Sequence, residues 1–324
     1  MNATTICEML ASRIESEIVL KARVHSIFKN ACNLVTSKYE FITILNFDRK
    51  IYPMSVVIEG EDIDFTTLNM VPGTEFTLSK GSICCGKKDL FIDVSKAKKW
   101  KSEPDLDFTH VSYEELEKNI VNLEEGLNLY GRFDCTAPLV MSLKNADIKL
   151  NCNEVLDIKY EFIQHRFSKF IELILENNLN EIPDSAKKLI GFGIGLTPSL
   201  DDFISGIMVS LIYLSKFYNY DTNEAYILNS GIISCGLTGT TRVSSEMLKF
   251  SSVGKTSLLM KNLILSLLCE TDHYKIMQKV KEAIEVGETS GTDTILGIYT
   301  GFKIVKKIKF KAKEDGIWKM EIIM

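Results

Sequence analysis

Polar and hydrophobic positions alternate in short runs through the first part of the chain, and in the remainder apolar residues recur every three or four positions. After a short amphipathic helix at the N-terminus, the runs IVLKARVHSIF, FITILNF, MSVVIEG, TEFTLSKG and LFIDVS carry β-branched and aromatic residues at the two-residue period of strands. Pro53, Gly60, Pro72, Gly73, Gly81 and Gly86 punctuate them, a short-strand, frequent-turn rhythm that predicts a small β-barrel or sandwich. The polar stretch KAKKWKSEPDLDFTH, from Lys96 to His110, reads as a linker. Beyond it the period becomes helical, and helices are predicted over 112–129, 155–178, 184–190, 198–218, 224–235, 243–252, 256–269, 273–286 and 291–306. The alternating tail IKFKAKEDGIWKMEIIM predicts a hairpin turning at Asp315 and Gly316. The expected fold class is α+β, with an N-terminal β-rich domain over 1–108 and a mainly α-helical domain over 109–324.

Composition narrows the functional classes. The chain has 324 residues, 45% of them hydrophobic, enough for one large core or two moderate ones. A net charge of −5 supplies no basic field for nucleic acid or an anionic membrane, so an anionic ligand has to be captured locally. None of the eight cysteines falls in a CxxC pair, which argues for reduced thiols rather than a zinc or redox motif. The N-terminus lacks a basic segment followed by an apolar one, so a cytoplasmic location is expected. The longest apolar run, Phe203 to Leu214, is well short of the roughly 20 residues that cross a bilayer and reads as a buried helix.

Candidate chemistry centres on GFGIGLTPSLDDFISG, residues 191–206. Gly191, Gly193 and Gly195 alternate with Phe192 and Ile194, so the backbone can take positive φ and approach a ligand while the apolar residues anchor it. Thr197 then reads as a helix N-cap with Pro198 at the first helical position. Unpaired amides and the positive end of the helix dipole make such a start a seat for a small carboxylate or phosphate. Asp201 and Asp202, in the first turn, allow two readings. They stabilise the dipole, with Ser199 and Asp202 forming a capping box, or one of them orients a substrate amide or hydroxyl, or holds Mg²⁺ beside the anion. A dinucleotide fingerprint would need glycine where Leu196 stands. SSVGKTS, 251–257, ends like a phosphate loop but has Lys249 in place of the first glycine.

Two further segments share this grammar. In GETSGTDTILG, 287–297, Thr289, Asp293 and Gly297 parallel Thr197, Asp202 and Gly206 with one residue of slippage, so two helix starts can face each other across one ligand. Capping chemistry alone also enriches these residue types. In LTGTTRVSSEML, 237–248, Arg242 offers a planar fork for an anion, flanked by Thr240, Thr241 and Ser244; the bland alternative is a solvated arginine near a helix start. The candidate catalytic residues are therefore Asp201, Asp202 and Asp293. The candidate ligand-binding residues are Gly193, Gly195, Thr197, Ser199, Thr240, Thr241, Arg242, Ser244, Ser290 and Gly291. His25, His110, His165 and His273 lie in no nucleophile or metal motif, and a GxSxG elbow is absent, so catalysis is expected to rest on positioning and electrostatics.

The pattern LIGFGIGLTPSLDDFISG resembles the signature of a former domain-of-unknown-function family now associated with AllH, a subunit of oxamate carbamoyltransferase from anaerobic allantoin breakdown. That signature reads approximately GxGxGLTPxGDDxLxG, followed by SSGxDxxxG. The chain matches it at Gly191, Gly193, Gly195, Leu196, Thr197, Pro198, Asp201, Asp202 and Gly206, then at Ser290, Gly291, Asp293 and Gly297. Leu200 stands where the family usually has glycine, and Glu288 with Thr289 replaces its commoner residues. The resemblance implies a transferase that moves a carbamoyl group between an oxalurate-like ureide, phosphate and oxamate within a hetero-oligomer of different carbamoyltransferase subunits. Two alternatives stand beside it: a non-catalytic subunit that binds or senses a small anion, and an interaction protein whose glycines only allow close helix packing.

Overall fold

The computed structural model describes residues 1–47, 51–60, 63–86, 90–108, 111–133, 136–143, 147–150 and 158–310. They form two compact units: Met1–Asp105 with Lys255–Asn262, and Leu106–Gly254 with the chain from Leu263.

The first unit is built on β1 (Ala3–Cys7), α1 (Glu8–Glu15), β2 (Leu20–Phe28), β3 (Ala31–Thr36), β4 (Phe41–Leu45), β5 (Ser55–Ile58), β6 (Glu75–Ser79), β7 (Ser82–Cys85), β8 (Leu90–Asp93) and β9 (Lys98–Trp100). The nine strands make one curled, half-barrel sheet in the order β8-β7-β6-β2-β3-β4-β5-β1-β9, which realises the β-rich N-terminal expectation. The pairings are antiparallel except β4 with β5 and β1 with β9. Leu20, Ala22 and Val24 of β2 are buried while Lys21, Arg23 and His25 are exposed, the inside–outside alternation of a sheet with one covered face. Leu10, Ala11 and Ile14 form the buried stripe of α1.

Two corrections arise here. A strand, ATTIC, precedes the N-terminal helix, because its β-branched residues extend before the helix starts. The stretch read as a linker also contains β9, whose Lys98, Lys99 and Trp100 add to the sheet beside β1. The first unit takes in Lys255–Asn262 as well: the Leu258 amide donates to the Ile51 carbonyl at 3.0 Å and Lys261 Nζ to the Lys101 carbonyl at 2.8 Å.

The helices that follow are α2 (Tyr113–Tyr130), α3 (Ala137–Met141), α4 (Ile158–Leu175), α5 (Ile182–Lys187), α6 (Ser199–Phe217), α7 (Thr222–Ile233), α8 (Arg242–Ser252), α9 (Leu258–Cys269), α10 (His273–Ile284) and α11 (Ser290–Ile304), all in the second unit except the start of α9, which belongs to the first. The periodicity finds all of these except α3, which is too short to show a period. The hairpin expected at Asp315 and Gly316 lies outside the described residues. Every residue from Ser199 to Ser215 in α6 is buried, and α11 is buried from Gly291 to Phe302. A helix that is apolar all round belongs at the centre of a bundle.

These two helices pack against each other along their length, with α2, α3 and α10 also against α11, and α7 and α8 against α6. Glycine sets the spacing. A Cβ on Gly206 would run into the Thr294 carbonyl oxygen and stand 2.8 Å from the Ile298 nitrogen. One on Gly297 would run into the Phe203 carbonyl oxygen and stand 3.0 Å from the Ile207 nitrogen. The backbones are thus in direct contact where α6 and α11 meet.

Gly206→Ala and Gly297→Ala are each expected to force the pair apart and lower stability by about 1–3 kcal/mol, the usual cost of overpacking. Gly231→Ala, whose new methyl meets only Ile182 Cγ2 at 3.7 Å, is expected to stabilise by about 0.5–1 kcal/mol through helix propensity. Thermal unfolding of the three variants reads this contrast directly, and equal shifts of one sign would refute it.

Candidate functional site

The contact between α6 and α11 brings their N-termini together under the loop that precedes α6. The loop's Gly191, Gly193 and Gly195 have φ of +87°, +127° and +104°. Gly191 and Gly193 must also lack a side chain: a Cβ on the first would run into the Gly239 carbonyl oxygen and one on the second would overlap the Ser199 amide nitrogen, whereas one on Gly195 would meet nothing within 4 Å. Residues 193–196 are exposed, Ile194 most of all at 89%.

The N-terminus of α6 differs from the open anion seat expected of it. The cap is Pro198, not Thr197, and the helix begins at Ser199. The Leu200 amide donates to the Phe192 carbonyl at 3.0 Å, and the Asp201 and Asp202 amides donate to the Pro198 carbonyl at 2.9 and 3.2 Å. The folded-over loop and the first turn therefore consume these donors. The expected capping box is not formed either, because Ser199 turns to Asp293 and Asp202 to Ser290 and Thr197. Leu200 is buried, so the glycine departure places a side chain in the core.

The three aspartates divide into two kinds. Asp201 is enclosed by donors: the Gly191 amide at 2.7 Å, Ser244 Oγ at 2.5 Å and Thr240 Oγ1 all reach its carboxylate. It ties the loop and the start of α8 to α6. Thr241 completes that tie as the N-cap of α8, accepting from the Ser244 amide at 3.1 Å while its hydroxyl donates to the Leu196 carbonyl at 2.5 Å.

Asp202 and Asp293 are the second kind. Both are buried, and in each the Oδ2 atom has no hydrogen-bond partner. On Asp202 act the hydroxyls of Ser290 and Thr197, which are 2.9 Å from each other. On Asp293 act those of Thr136, Ser199 and Thr289. Burial pushes the Asp202 carboxyl well above the ordinary aspartate range, and the nearby Asp293 pushes it further. Burial likewise raises Asp293 to about 6 against the lowering effect of its hydroxyl partners.

The remaining candidates fall around this pair. Ser290 touches it directly. Gly291 does not offer a free amide, since its N–H donates to the Val286 carbonyl at 2.9 Å; a Cβ there would strike the Ala283 carbonyl oxygen of α10. Arg242 forms an ion pair with Glu246 at 2.9 Å on its own helix, which offsets the charge expected to attract an anion. Sequence reasoning missed Thr136, whose Oγ1 and amide donate to Asp293 at 2.5 and 3.3 Å. The signal available was Thr-Ala-Pro, a hydroxyl residue and a proline at a helix start. It also missed Arg132, whose amide donates to Thr292 Oγ1 at 3.1 Å and whose Nη1 donates to the Glu288 carbonyl at 2.6 Å. For the Mg²⁺ expectation, no group of three or more His, Cys, Asp and Glu among the described residues is placed to hold a metal ion. No helix among them is long and apolar enough to cross a membrane.

The chain thus carries a curled β unit followed by a helical unit in which two adjoining helix starts bury an acid pair. The chain belongs to the AllH family: residues 189–302 match the family model described as oxamate carbamoyltransferase subunit AllH, and residues 2–99 match the AllH family N-terminal domain. All three glycine- and hydroxyl-rich segments lie within the first match, whereas Arg132 and Thr136 lie outside both. No solved structure matches the chain.

The acid pair has a consequence for stability. An aspartate whose pKa is higher folded than unfolded makes the folded state bind more protons, so stability is fullest at low pH and is lost as pH rises. For Asp293 the window runs from 3.8 to about 6, and Asp202, raised in the same direction by burial, adds to the loss as pH rises. Asp293→Asn is expected to melt above the wild type at pH 8, by up to about 3 kcal/mol from a shift of roughly two units, with the advantage vanishing near pH 4. Melting curves across that range check this, and an Asn variant less stable at pH 8 than at pH 4 relative to wild type would rule out the penalty.

Proposed function

We propose that this chain is a subunit of a carbamoyltransferase acting on small anionic amides or ureides, with oxamate, oxalurate and carbamoyl phosphate as the substrate class, in purine or allantoin degradation. The observation that carries this reading is the pair of unpartnered, buried carboxyl oxygens on Asp202 and Asp293. A carbamoyl group presents N–H donors on one side and a carbonyl acceptor on the other. A carboxylic acid beside a carboxylate offers the complementary set, and a dry site strengthens both contacts. Asp202 is the protonated member and donates to the carbonyl; Asp293 accepts from the amide. As the ureide C–N bond breaks and phosphate oxygen bonds to the carbamoyl carbon, the Asp202 proton passes to the leaving oxamate nitrogen, Asp293 takes the phosphate proton, and transfer of that proton from Asp293 to Asp202 restores the pair.

Within this reading Asp201, Thr240, Thr241 and Ser244 position the loop, and Gly193–Leu196 is the exposed stretch through which substrate reaches the pair. The site belongs to the helical domain, 109–324, and the protein works in the cytoplasm with the other subunits of the transferase. The enclosure of Asp201 and the pairing of Arg242 with Glu246 favour a second reading, a non-catalytic subunit that binds the anion without transforming it.

The test is phosphate-dependent formation of carbamoyl phosphate from oxalurate by the full chain combined with its partner subunits. Asp202→Asn and Asp293→Asn are each expected to lower kcat by about 100-fold or more, the scale of a lost general acid or base, with little change in KM. Undiminished turnover in both variants would overturn the catalytic role of the pair. Saturable oxamate binding by calorimetry, without turnover in any subunit combination, would select the binding-subunit reading.

A further inference from the structure

Asp293 is gripped from a part of the chain outside both family matches. The segment before α3 reaches the start of α11 at three successive places. Arg132 Nη1 donates to the carbonyls of Glu288 and Gly287 at 2.6 and 3.4 Å, the Arg132 amide donates to Thr292 Oγ1 at 3.1 Å, and Thr136 donates twice to Asp293 Oδ1. Thr136 is itself buried. Both of its bonds end on the same oxygen, while Oδ2 has no partner.

We propose that Thr136 is a positioning residue that fixes Asp293 through Oδ1 and thereby sets Oδ2 as the oxygen presented to the carbamoyl group. This rests on the reading that Asp293 belongs to the reacting site. Two donors on one carboxylate oxygen hold the group against rotation and leave the other oxygen free. The side chain therefore stays in one orientation although burial leaves its other oxygen unsatisfied, a state that would otherwise relax toward any available donor.

Ser199 and Thr289 also act on Asp293 through their hydroxyls, and Thr136 differs from them in donating through both its hydroxyl and its amide. From α6, Asp202 is the titratable group that acts with Asp293. Helix α3, APLVM, carries no ionisable side chain, and α10 meets the start of α11 through the carbonyls of Ala283 and Ile284. On α2, Glu124 is engaged by Tyr299 Oη at 2.6 Å and Lys303 Nζ at 3.4 Å. The Thr136 bonds favour the charged carboxylate, opposing the burial that raises it.

The experiment compares Thr136→Val, which replaces the hydroxyl with a methyl group, with Thr136→Ser, which keeps it; Thr136→Ala serves if the valine variant does not fold. Carboxyl resonances of aspartate-labelled full-length chain, assigned with Asp293→Asn, report the titration of Asp293 without any need for activity. The valine or alanine variant is expected to titrate higher by roughly one pH unit, as for a lost hydrogen bond to a charged group. The serine variant should titrate like the wild type. With partner subunits present, kcat is expected to fall about tenfold in the valine variant with KM nearly unchanged, and to return in the serine variant.

An Asp293 titration that stays put in folded valine or alanine variants overturns the inference, as does failure of serine to restore it. If the titration moves but the wild-type assembly turns nothing over, the positioning contact stands and the carbamoyl reading falls. If Asp293→Asn abolishes turnover while Thr136→Val does not affect it, the carbamoyl reading stands and the positioning role falls.

Discussion

The helical unit depends on one close approach, the backbone contact of α6 with α11 at Gly206 and Gly297. Two helices at ordinary separation would keep their first turns apart, with side chains packed between them. With no side chain at the contact, the helices touch, and their N-termini arrive together beneath the same loop. The hydroxyls of Thr197 and Ser290 then meet across the junction. Asp202 and Asp293 become a pair there, although each is encoded as an unremarkable first-turn acid.

Bringing two carboxyl groups together in a dry place opposes folding, since each would be charged and hydrated in the unfolded chain. The helix dipoles and the surrounding hydroxyls offset part of that penalty. Asp201 shows the contrasting solution. Its three donors come from the loop and from the Thr240–Ser244 segment, so the same residue type one position earlier serves as a brace. A pair left partly unsatisfied beside an acid that is fully satisfied is the pattern expected where stability is yielded to a binding or reacting site.

The bundle and the glycine loop fit together through that brace. Gly193 lies directly over the start of α6, and the amides that might have gripped a free anion are turned onto loop and first-turn carbonyls. The unpartnered polarity at the junction therefore lies less at an exposed helix end than in the Oδ2 atoms of Asp202 and Asp293, which offer hydrogen bonding and no charge attraction for an anion. Arg242 adds little to it, with its guanidinium held by Glu246.

Much of this was legible in the residues themselves. Two-residue alternation marked most strands of the sheet, and the helical period marked every long helix, because both report which side chains face a core. The repeated threonine, aspartate and glycine at 197–206 and 289–297 marked two related helix starts. What the sequence by itself determined was the elements, their punctuation and the identity of the acids, since these follow from local periodicity and capping chemistry. Only the tertiary structure decided that Asp202 and Asp293 lie near each other with one oxygen each unsatisfied while Asp201 is a brace, that Thr197 bonds Ser290 instead of capping its helix, and that Thr136 and Arg132 reach the same junction. Those outcomes depend on which donors lie across a contact between segments far apart in the chain, and burial and proximity of that kind have no local signature.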